Sequence, residues 1–130
     1  MSLDVSPALL EKAEQGDVDE REFVACVRDS LPYAWQLVSS LATRLRDEGG
    51  PFADNQVPPA TEAERGQLLR ALASDAIRGS LERHFDVRLA FQNCHRVAVF
   101  PATGLDTDRH AAFTSIRGQL LNQSPTMRDC

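Results

Sequence analysis

Apolar positions recur at helical spacing over most of this chain and switch to strand spacing in one stretch. Between residues 61 and 85, Leu69, Leu72, Ala73, Ala76, Ile77 and Leu81 recur on one side, which predicts a single long amphipathic helix. Thr61 and Glu64 form a capping box just after Pro58-Pro59 and mark its start. Gly66 and Gly79 each cost about 1 kcal/mol relative to Ala inside a helix. Either another backbone approaches closely there or the cost is simply tolerated.

After Asp86 the period becomes two. Val87, Leu89 and Phe91 alternate with Arg88 and Ala90, and on the return Val97 and Val99 alternate with Arg96, Ala98 and Phe100. An even loop would set Phe91 opposite Arg96. An odd loop, Asn93 to His95, pairs Phe91 with Val97 and Leu89 with Val99, gathering five large apolar side chains on one face. The odd loop is therefore expected. A lone hairpin is marginal in water, so helices must roof that face.

The other segments read as helices in need of a surface. Ser6-Pro7 starts a short one that Gly16 stops, and Asp17 to Glu20 starts a second carrying Phe23, Val24, Val27 and Leu31. Pro32 forces a boundary near Asp29 to Leu31, with Ser30 the expected cap of the next helix; one kinked helix is the alternative. Ala34, Leu37, Val38, Leu41, Ala42 and Leu45 then form a stripe up to Gly49-Gly50. Two heptads are too few for a coiled coil, so the stripe reads as a core face rather than a dimer seam. Residues 49–60 hold three prolines and two glycines and read as a loop, with Phe52 and Val57 as its anchors. A last helix, capped by Asp106 or Thr107, should turn Phe113, Ile116 and Leu120 inward and end between Asn122 and Pro125.

These elements predict one helix-rich α+β domain over residues 1–130, about five helices packed around one antiparallel β-hairpin (87–91/97–100). It divides into a helical N-terminal half (6–48), the loop 49–60, and a helix-hairpin-helix unit (61–123).

Composition narrows the class. At 42% hydrophobic and 25% charged, the chain suits a soluble domain, and no apolar run approaches the ~20 residues of a membrane span. The acidic N-terminus lacks the basic region of a secretory signal, so a cytoplasmic location is expected. Cys26, Cys94 and Cys130 are odd in number and far apart, which favours free thiols. Residues 1–60 carry 5 basic against 11 acidic groups, a balance that repels nucleic acid and anionic lipid. A hairpin after a helix could be the wing of a winged helix, but no basic recognition helix accompanies it.

Asn93, Cys94, His95 and Arg96 at the hairpin bend are the most pointed polar group. His95 or Arg96 could lower the Cys94 pKa; a plain polar turn is the competing reading, since neighbours on a turn seldom face each other. Arg70, Asp75, Arg78 and Arg83 on the long helix could grip an anionic ligand or form a solvated face with Glu82. The histidines and cysteines lack metal-ligand spacing, so no metal, cofactor or catalytic residue is assigned.

The segments RGQLLRALASDAIRGSLERHF, RLAFQNCHRVAVFP and QLLNQSP resemble a small family of actinobacterial (Streptomyces-type) proteins of this length. That resemblance implies a bacterial cytosolic setting and no activity, cofactor or site. The expected function is a non-enzymatic binding or regulatory protein acting on a protein partner or on a second copy as a homodimer. The alternative is a small enzyme or ligand-binding or metal-binding protein using Cys94, His95 and nearby arginines.

Overall fold

Polar caps and one proline cut the chain into shorter helices than its periodicity suggests. The structure is a computed structural model and describes residues 3–92, 95–103 and 107–122. Helix α1 (Pro7–Glu14) begins where the Ser6 hydroxyl accepts the Leu9 N–H at 3.2 Å. Helix α2 (Glu20–Ser30) is capped by Asp19, which accepts from the Arg21 N–H at 3.0 Å. Pro32 ends α2 and opens α3 (Pro32–Glu48), which Gly49 stops at φ 64°. The cap position of α3 is Leu31 and not Ser30, whose hydroxyl instead accepts the Asp4 N–H at 2.9 Å. The first N–H groups of α3, at Tyr33 and Ala34, donate to the Gln67 carbonyl oxygen at 2.7 and 3.2 Å. A side chain from a distant helix supplies the cap that the local sequence lacks.

The expected long helix is two: α4 (Glu62–Ala73) and α5 (Asp75–Phe85), broken at an extended Ser74. Ser74 accepts the Ile77 N–H at 3.3 Å, and Arg78 donates to the Leu72 carbonyl at 3.0 Å, so one backbone group at each side of the break gains a partner. The break changes which residues face inward. Leu68, Ala71 and Leu72 are buried on α4 and Ile77 and Leu81 on α5, while Leu69, Ala73 and Ala76 are exposed. Half of the expected capping box forms: Thr61 accepts the Glu64 N–H at 3.1 Å, while Glu64 reaches past the cap residue to the Ala60 N–H at 2.8 Å. No backbone outside the helix crowds Gly66 or Gly79, so their cost is tolerated.

Strands β2 (Val87–Gln92) and β3 (Arg96–Pro101) pair antiparallel in the expected register, Leu89 with Val99 and Phe91 with Val97. A third strand was not expected. Within the supposed loop 49–60, β1 (Ala53–Asp54) pairs with the far edge of β3, giving the order β1-β3-β2. Among the described residues the fold is α+β, with seven helices and a three-stranded antiparallel sheet.

Helix α3 lies at the centre. Its Ala34, Val38, Leu41 and Leu45 pack against α4, α5 and the sheet face made by Val87, Leu89, Val97 and Val99. The seam-like stripe is thus consumed within one chain. Phe91 meets this core only in part. The opposite sheet face carries Ala90, Ala98 and Phe100, covered by Phe113 of α6 (Thr107–Phe113) and by Phe52, stacked on Phe100 at 5.5 Å. Val57 is 74% exposed and anchors nothing.

The expected last helix is also broken. Ser115 caps α7 (Ile116–Leu121) by accepting the Gly118 N–H at 2.9 Å, and the turn swings Ile116 and Leu120 into solvent, 83% and 67% exposed. A Cβ on Gly118 would stand 2.3 Å from the Ala112 carbonyl oxygen, so this corner requires glycine. Asp106, one expected cap, and residues 123–125, part of the expected end, lie outside the described residues.

Candidate functional site

Sequence pointed to the hairpin bend, and the structure shows what its charges do. Asp54 on β1 is 6% exposed and its carboxylate accepts from the Arg96 Nε at 2.8 Å. The same carboxylate accepts from Gln56 at 2.8 Å, and Arg44 on α3 donates to the Asp54 carbonyl. Asn55, equally buried, extends the pairing of the short strand with its side chain. It accepts the Val97 N–H at 2.8 Å and donates to the His95 carbonyl at 3.0 Å. These groups clamp β1 to β3, and Arg96 further lies 5.4 Å above the Phe113 ring.

His95 takes a left-handed conformation, φ 61°, as the last residue of a three-residue hairpin loop commonly does. Its ring meets Phe91 edge-on at 5.9 Å, and its Nδ1 is buried without a partner. Burial, and then the nearby Arg65 charge, push its pKa down. Asn93 and Cys94 lie outside the described residues. His95 and Arg96 are therefore turned to different partners, Phe91 for one and Asp54 for the other.

The second predicted group divides in the same way. Arg78 Nη2 bonds Asp75 at 2.6 Å while its Nη1 closes the end of α4, so this pair belongs to the helix break. Arg70 is exposed and stands outside it. Cys26 is half-buried, its thiol directed to the Asp4 carbonyl at 3.5 Å. His110 packs against Phe100 at 5.1 Å, and burial, followed by Arg88, lowers its pKa against the opposing effect of Glu82. Among the described residues no three His, Cys, Asp or Glu side chains converge to hold a metal, and no helix is long and apolar enough to cross a membrane.

A broader concavity lies away from both groups. Helices α3 and α5 end side by side in left-handed residues, Gly49 at φ 64° and Asp86 at φ 55°. Between them and the ends of β2 and β3 opens a groove of about 980 Å³. Ser39, Thr43 and Arg46 line it from one side of α3, and His84, Phe85 and Asp86 from α5. Trp35 supports that second wall, its ring 5.1 Å from His84 and 4.9 Å from Phe85. Nothing in the sequence marks these residues, because a polar stripe opposite an apolar one looks like any solvated helix face. The signal available was a pair of helix stops, Gly49-Gly50 and Asp86, whose nearness in space only the fold provides. A smaller cleft of about 390 Å³ separates α1 from α2 and is bridged by the Lys12–Glu22 ion pair at 2.6 Å.

The full length of the chain, residues 1–130, matches one family model. The chain belongs to the family described as NucS shadow ORF. No curated protein and no solved structure matches it. The family description states a reading frame and NucS, and it states no activity.

Proposed function

We propose that this member of the NucS shadow ORF family is a non-enzymatic binding protein, and that its binding surface is the groove between the ends of α3 and α5. The observation that carries the reading is how the polar groups are divided. Asp54, Asn55, Arg96, Asp75 and Arg78 are engaged in holding the fold, whereas Ser39 and Thr43 line an open groove of about 980 Å³. Volumes of this order accommodate small ligands or an anchoring side chain of a partner. The setting we propose is the bacterial, actinobacterial cytosol, in keeping with thirteen arginines against one lysine. The partner is a protein or a second copy of the chain.

A reading frame described as a shadow raises the question of whether its polypeptide is selected in its own right. Among the described residues five helices begin at a side-chain cap (Ser6, Asp19, Thr61, Ser74 and Ser115), and the hairpin register gathers Val87, Leu89, Val97 and Val99 on one face.

The test is a fragment screen by protein-observed NMR, repeated on Thr43→Trp. Shifts grouped on Ser39, Thr43, Arg46 and Asp86, and lost in the filled variant, are expected. Hits grouped on His95 and Arg96, or none at the groove, would overturn the assignment. Light scattering at micromolar concentration decides between a second copy and a different partner.

A further inference from the structure

We draw no further inference here: the strongest candidate, the exposed apolar ridge of Ile116, Leu120 and Leu121 on α7, carries nothing because nothing in the structure shows what covers it.

Discussion

His95 shows how a residue that looks chemical can be explained by its place in a turn. Its positive φ follows from the loop length, its carbonyl is held by Asn55, and its ring is enclosed beside Phe91 and Arg65. Burial leads the causes that hold its pKa below the ordinary 6.5, as it does for His110. The unfolded chain therefore takes up protons at these sites first as pH falls. Stability from this source is complete above about pH 6.5 and declines as pH drops through that value toward the folded-state pKa values. Thermal melts should show Tm falling between about pH 7 and pH 5, and His95→Gln with His110→Gln should flatten that fall. A Tm that rises on acidification through the same window would contradict the assigned burial. The left-handed conformation of His95 emerges only in the fold, while the odd loop was readable from the parity of Phe91 and Val97. The partners of Arg96 were not, because Asp54 lies 42 residues away.

At the scale of elements, the sequence stated strong periodicity well and interruptions poorly. Leu69, Leu72, Ala73, Ala76 and Ile77 keep helical phase across Ser74, and the cap signature of Ser74-Asp75 is weak beside that repeat. Strand β1 has two residues and exists through long-range pairing, so no local pattern announces it. The start of α3 likewise depends on a residue far along the chain. Gln67→Ala should remove the cap on Tyr33 and Ala34 and cost about 1 kcal/mol, read from the urea midpoint at unchanged m-value. A loss of less than a few tenths of a kcal/mol would mean that water serves those N–H groups equally well.

The whole molecule is held by one main core shared by α3, its neighbouring helices and one face of the sheet. Leu89 is 5% exposed in that core, while Phe91 is only half-buried at its margin. Leu89→Ala should therefore cost about 2–5 kcal/mol and Phe91→Ala less, reversing the order that side-chain size alone would give. Equal or inverted losses in denaturant melts would argue against the packing. The α+β class and the roofed hairpin could be argued from sequence because they follow from pattern. The groove could not, since it is the space left where α3, α5 and the strand ends fail to meet.

The claim on which the functional reading turns is that the charges nearest the hairpin bend hold the sheet together and perform no chemistry. A double-mutant cycle of Asp54→Asn and Arg96→Met, measured by urea unfolding, tests it most directly. Removing Arg96 alone strands a buried carboxylate and should cost about 3 kcal/mol, with a coupling of about 1–3 kcal/mol between the two sites. Additive losses, within about 0.5 kcal/mol of the sum of the single variants, would contradict the account.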